Sequence, residues 1–184
     1  MVLEDFASKV NGTVIYENRR SLFRSRTVAQ AVDFVCDGMR ARLERGASLS
    51  FELPGIFFTC LIQAAGPIQR DPVTGQEYAA PDRRSWREPQ EGFEDAEIGG
   101  DEFNNAFALQ TNDAAKARKF LNPPLQQVLL GFNDWVDESL VDTFWCLNVS
   151  ESGMQVILEI NCEDLEQLLA FYQHSRALLA AARG

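Results

Sequence analysis

Residues 103–130 read FNNAFALQTNDAAKARKFLNPPLQQVLL, and their pattern passes from a period of two into two helices with recognisable ends. Phe103, Phe107 and Leu109 alternate with polar residues as a half-buried strand requires, and Asn105 breaks the alternation, so the strand proper is expected from about Ala106. Thr111, Asn112 and Asp113 then offer side-chain oxygens to the unpaired N–H groups of a helix opening at Ala114. Pro123 disfavours helical dihedrals at Asn122, which ends this helix and frees Asn122 to cap the next, with Pro123 at a position where a missing N–H costs nothing. The second helix should carry Leu125, Val128, Leu129 and Phe132 on one face, with Gly131 near its end.

Upstream, LEDFASKV places Leu3, Phe6 and Val10 at helical spacing, and Asn11-Gly12 tolerate the left-handed dihedrals that stop a helix. TVIY at 13–16 reads as a strand. In AVDFVCDGMRARLER the Asp37-Gly38 pair suits a type I′ turn, which sets Val32, Phe34 and Cys36 opposite Leu43, Ala41 and Met39. SLSFEL and IFFTCLIQ follow as two strands, or as one interrupted at Pro54-Gly55.

Downstream, SLVDTFWCLNV and MQVILEI form a second hairpin around Glu151-Ser152-Gly153. Asn161 is expected to cap a terminal helix running from Cys162 to about Ala182, with Asp164 in its first turn and Leu165, Leu168, Leu169, Tyr172, Leu178 and Leu179 along its apolar stripe. The expected fold class is α+β. A single domain over residues 1–184 would pack the 114–132 helices and the terminal helix on one face of an antiparallel sheet made from two hairpin regions.

Residues 66–102 interrupt this regularity. Pro67, Pro72, Pro81 and Pro89, five glycines and few aliphatic side chains make the stretch a long irregular Pro/Gly-rich excursion. Its charge is segregated: Arg83, Arg84 and Arg87 surround Trp86, and Glu91, Glu94, Asp95 and Glu97 follow with no base among them. An aromatic between arginines has the composition of a protein-interaction anchor.

The chain of 184 residues is 46% hydrophobic and carries a net charge of −10, which suits a soluble globular domain and disfavours general binding to nucleic acid through phosphate neutralisation. GIFFTCLIQAAG is too short to cross a bilayer, and MVLEDFASKV lacks the basic and apolar regions of a signal peptide, so a cytoplasmic location is expected, with peripheral membrane association through Arg19, Arg20, Arg24 and Arg26 as a weaker option. Cys36, Cys60, Cys146 and Cys162 are scattered without a CxxC pair and read as buried free thiols.

DEFNNAFALQTNDAAKARKFLNPPLQQVLLGF, the second hairpin and EDLEQLLAFYQHSRALL together resemble the C-terminal half of a bacterial domain-of-unknown-function family, number 3137. Phe103, Phe107, Asp113, Ala117, Arg118, Leu121 and Pro123 fill that family's places, and Asn122 stands where a hydroxyl residue is usual. The resemblance covers about 80 residues and implies a fold without an activity. Many of those relatives are membrane-anchored, and this chain shows no comparable segment.

No residue pattern calls for a cofactor, a metal or a catalytic group. His174 is the lone histidine and, despite Glu166 on the same helix, reads as a packing or surface residue. Cys36 has nothing beside it that would lower its pKa, the acidic run lacks the ligand spacing of a calcium loop, and Gly99-Gly100 reads as a hinge. The favoured reading is a non-catalytic protein-interaction or scaffold domain, an accessory subunit of a larger bacterial assembly. Its partner would be held by Arg83, Arg84, Trp86, Arg87, Glu91, Glu94, Asp95 and Glu97. The alternative is a small-molecule-binding or hydrolytic domain with a pocket between sheet and helices.

Overall fold

The computed structural model describes residues 2–20, 25–64, 68–70, 77–79, 92–140, 143–158 and 163–184, with backbone alone at 18–20, 25–26, 68–70 and 77–79. In chain order the elements are α1 (Val2–Val10), β1 (Thr13–Arg20), β2 (Ser25–Cys36), β3 (Met39–Glu44), β4 (Ser48–Phe51), β5 (Cys60–Ala64), β6 (Ile68–Arg70), β7 (Glu77–Ala79), β8 (Glu94–Asp95), α2 (Asp101–Ala106), β9 (Phe107–Thr111), α3 (Ala114–Phe120), α4 (Pro123–Ser139), β10 (Trp145–Ser150), β11 (Gly153–Leu158) and α5 (Leu165–Arg183). The fold is α+β. Nine strands form one antiparallel sheet in the order β1-β2-β3-β4-β11-β10-β5-β9-β8, and β6 and β7 pair as a separate hairpin.

The Asp37-Gly38 turn has φ of 49° and 82°, as a type I′ turn requires, and Cys36, Phe34 and Val32 pair with Met39, Ala41 and Leu43. The second hairpin, β10–β11, inserts between β4 and β5, so SLSFEL and IFFTCLIQ supply two strands that do not pair with each other. Because directly paired residues share a face, the register threads two apolar rows through the sheet. One runs Phe34, Ala41, Phe51, Met154, Val149, Cys60, Thr111, and the other runs Val32, Leu43, Leu49, Val156, Leu147, Ile62, Leu109. Every member of both rows is buried.

These rows join one core with Leu3 and Phe6 of α1, Leu125, Leu129, Phe132 and Val136 of α4, and Leu168, Phe171, Leu178 and Leu179 of α5. Phe6, Phe34 and Tyr172 form an edge-to-face trio with centroids 5.6–5.9 Å apart, which wedges α1 between β2 and α5. Trp145 closes the other end against Phe107 and Phe132, and its indole N–H donates to Asn133 Oδ1 at 3.1 Å.

Several local expectations need correction. Phe103 lies in a helix, because Asp101 and Glu102 favour a helix start and Asn104 ties that turn to residues 98–99; the strand opens at Phe107. Gly131 sits mid-helix. The helix runs on to Ser139 because burial of Phe132 and Val136 outweighs the roughly 1 kcal/mol that glycine costs there. The terminal helix opens at Leu165 with Asp164 as its cap, accepting from the N–H groups of Glu166 and Gln167, and Asn161 lies outside the described residues. Phe171, absent from the expected stripe, is fully buried. Gly99 is packed tightly, since a Cβ there would come within 2.6 Å of Phe103 Cβ. The caps expected at Asp113 and Asn122 are made, accepting from Lys116 N and Leu125 N.

Candidate interaction face of the sheet

The helices cover one side of the sheet, and the side-chain alternation that fills the core sends the intervening residues to the other. Asp33, Arg42, Ser50, Gln155 and Asn148 make a continuous polar row across β2, β3, β4, β11 and β10, and Val35, Arg40 and Glu52 lie beside it. Together with Thr13, Ser150 and Ser152 they line an open trough of about 900 Å³. The trough lies opposite the helices. Between sheet and helices, where a pocket was the alternative expectation, the described residues form the apolar core.

The trough mixes satisfied and uncommitted groups. Arg42 is shared between Asp33 (3.7 Å) and Glu44 (3.6 Å), Gln155 donates to Ser48 Oγ at 2.7 Å, and the Ser150 and Ser152 hydroxyls meet at 2.7 Å. Arg40 is exposed and makes no ion pair among the described residues. Val35, which pairs with Arg40, is 66% exposed and adds an apolar side chain at the end of the polar row. The trough therefore presents hydrogen-bond donors, acceptors and both signs of charge, with an apolar residue at its rim.

Of the residues expected to hold a partner, Arg83, Arg84, Trp86, Arg87 and Glu91 lie outside the described residues. Glu94, Asp95 and Glu97 are exposed at the opposite edge of the sheet, where β8 pairs with β9 and Asp95 Oδ1 accepts from Gln110 at 3.2 Å. They do not join the trough. The excursion leaves the sheet from β5 and re-enters it at β8, the two strands that flank β9. Only the backbones of Arg19, Arg20 and Arg26 are described, in the β1–β2 pair, and Arg24 lies outside the described residues.

The candidates for covalent or acid–base chemistry have packing roles. Burial raises the Cys36 thiol, which accepts from the Tyr172 hydroxyl at 3.7 Å, and burial pushes Cys60 up to about 12. Cys36, Cys60 and Cys146 are buried thiols that form no disulfide, and Cys162 lies outside the described residues. His174 stacks on Trp135 at 4.4 Å and 16°, and burial lowers its pKa. Asp37 takes two hydrogen bonds from Arg176 at 2.7 and 2.8 Å, and its backbone oxygen accepts from Arg183, which clasps the β2–β3 turn to α5. No group of three or more potential metal ligands is found among the described residues, and no helix among them is long and apolar enough to cross a membrane.

Alternation alone marks the trough residues in the sequence, since each sits two positions from another outward residue. What the sequence lacked was the strand order that brings Asn148 and Gln155 beside Ser50 and Arg42.

No family model matches the chain, and no curated protein matches it. Among solved structures, the fold is similar to the crystal structure of the mycobacterial trehalose monomycolate transport factor A, TtfA, with a TM-score of 0.52 at 9% identity over 97% of this chain and 92% of that one. Identity that low establishes a shared fold and nothing finer.

Proposed function

We propose that this chain is a non-catalytic accessory domain that holds a protein partner in a larger bacterial assembly. The observation that carries the reading is the open sheet face: a nine-stranded sheet covered by helices on one side presents a polar trough with an uncommitted arginine and an exposed valine on the other. A rigid sheet offers such a surface at little ordering cost, because its backbone is already fixed on both sides of each central strand. The similarity in fold to a protein named as a transport factor supports an accessory role. The segment around Arg83, Arg84, Trp86, Arg87 and Glu91, with Glu94, Asp95 and Glu97 beyond it, adds a second contact in this reading.

The test is affinity purification of the tagged full chain, followed by reconstitution with each purified candidate partner. Substituting Arg40 and Arg42 by Ser, with Val35→Ser, should weaken the reconstituted complex at least tenfold and leave thermal stability nearly unchanged; unaltered affinity removes the trough from the reading. Trp86→Ala tests the segment in the same assay.

A second reading has its own support, because a trough of about 900 Å³ is also large enough for a small molecule. Saturable, stoichiometric thermal stabilisation by a metabolite, abolished by Arg40→Ser, would favour it over the first.

A further inference from the structure

Phe57 is 72% exposed, more than Tyr16 or Val35, yet the loop that carries it is anchored on both sides. Leu53, Ile56 and Phe58 on either side are buried, and Phe58 packs edge-to-face on Phe120 of α3 with centroids 5.6 Å apart. Thr59 N donates to Asn112 Oδ1 at 2.8 Å, Thr59 O accepts from Thr111 Oγ1 at 2.8 Å, and Lys116 Nζ donates to Phe57 O at 3.3 Å. Three apolar anchors and four hydrogen bonds, the fourth from Asn112 N to Thr59 O, therefore fix the loop and leave one aromatic ring in water.

Charge distinguishes this corner from the rest of an acidic chain. Two of the chain's three lysines, Lys116 and Lys119, lie one turn apart on α3, and Lys116 is the one that reaches the loop. Asp113 pairs with Lys116 at 2.9 Å, and Arg118 donates to Glu97 O at 3.1 Å. Lys119 is exposed and makes no ion pair among the described residues.

We infer that Phe57 and α3 form an anchor that seats in an apolar pocket of a protein partner rimmed by carboxylates. A preset aromatic loses little entropy on binding, and a central aromatic with a charged rim is the usual anatomy of an interface hot spot. Complementarity selects an acidic rim, since α3, which reaches the Phe57 loop through Lys116, carries Lys116, Arg118 and Lys119 against the single carboxylate of Asp113. A single ring with no second exposed large apolar side chain from this loop inserts too little surface to hold a chain of net charge −10 on an anionic bilayer. The inference rests on the reading of the chain as a partner-binding domain and assigns it a surface separate from the trough.

The experiment places a photo-crosslinking phenylalanine analogue at position 57 of the full chain, with position 173, exposed on α5 and outside both the trough and the Phe57 loop, as the control, and exposes both in the native cell. The expected result is a site-57 adduct whose crosslinked peptide carries carboxylates. The purified adduct partner should bind the wild-type chain, lose at least tenfold affinity to Phe57→Ala, and lose several-fold affinity to Lys119→Glu. A partner that binds Phe57→Ala as well as wild type overturns the inference. So does the absence of a site-57 adduct, or sedimentation with phosphatidylglycerol vesicles that Phe57→Ala abolishes. If partner binding survives Phe57→Ala and fails with the trough variant, this inference falls and the accessory reading stands; a chain with no partner in either assay loses both.

Discussion

The two faces of the sheet are built from the same strands by the same alternation, and they differ in what covers them. On the helix side, Phe51, Met154, Val149 and Cys60 sit side by side with almost no water contact. On the other, Arg42, Ser50, Gln155 and Asn148 occupy neighbouring positions and remain at least partly accessible. Folding stability resides on the first face, where each side chain leaves water, while the second keeps its polar groups in water and is the face the proposed partner would use. Substitutions should separate the two.

The largest expected effect is on the covered face. Phe171→Ala removes a fully buried ring and leaves a cavity, so it should cost about 3–5 kcal/mol, read as a fall in the urea midpoint without loss of trough binding. Gly153→Ala tests the junction of the two faces: φ is 128° there, and an added Cβ would collide with Phe51 O and Leu53 N. It should destabilise by about 2–3 kcal/mol in the same assay, because the β11–β4 ladder must shift to admit it. Ser175 acts in the opposite direction. Its hydroxyl is buried in α5 with no hydrogen-bond partner among the described residues, so Ser175→Ala should raise stability by about 1 kcal/mol, and a loss instead would mean that the hydroxyl is satisfied in solution.

Arg42→Ser on the open face should change stability by less than about 1 kcal/mol, since both of its ion pairs are about half exposed. An effect as large as that of Phe171→Ala would break the comparison. The smallest effect is a pH dependence at the α4–α5 contact. Burial lowers the pKa of His174, so the unfolded chain takes up the proton first as pH falls below about 6.5. Stability should decline from there until the folded value is passed, and His174→Phe should flatten that part of the profile. Asp37 titrates separately at lower pH. The Arg176 guanidinium holds its carboxyl below the usual value, so this contribution is complete above about 3.9 and disappears as pH falls through the folded value.

How much was legible depended on distance along the chain. The caps at Asp113 and Asn122 act on N–H groups three residues away, and the Asp37-Gly38 turn acts within a four-residue span, so local rules sufficed. The errors came where packing competed with local preference. Gly131 looked like a helix end, and burial of Phe132 and Val136 carried the helix past it; the short helix before the strand went unread, because the Asn104 amide that ties its turn to residues 98–99 does so only in the folded chain. The trough was invisible for a different reason. Arg42 and Gln155 are 113 positions apart, and their proximity depends on a hairpin entering between two strands that the sequence presents as neighbours.

The sequence by itself determined which side of each strand is apolar, where the helices between 114 and 139 begin, and that the chain would fold as α+β, because periodicity, caps and turn dihedrals are local properties. Tertiary structure alone decided the strand order, the join of separate polar stripes into one trough, and the exposure of Phe57 between two buried neighbours. Those outcomes depend on which surfaces meet, and that is settled by the packing of the whole core rather than by any segment of it.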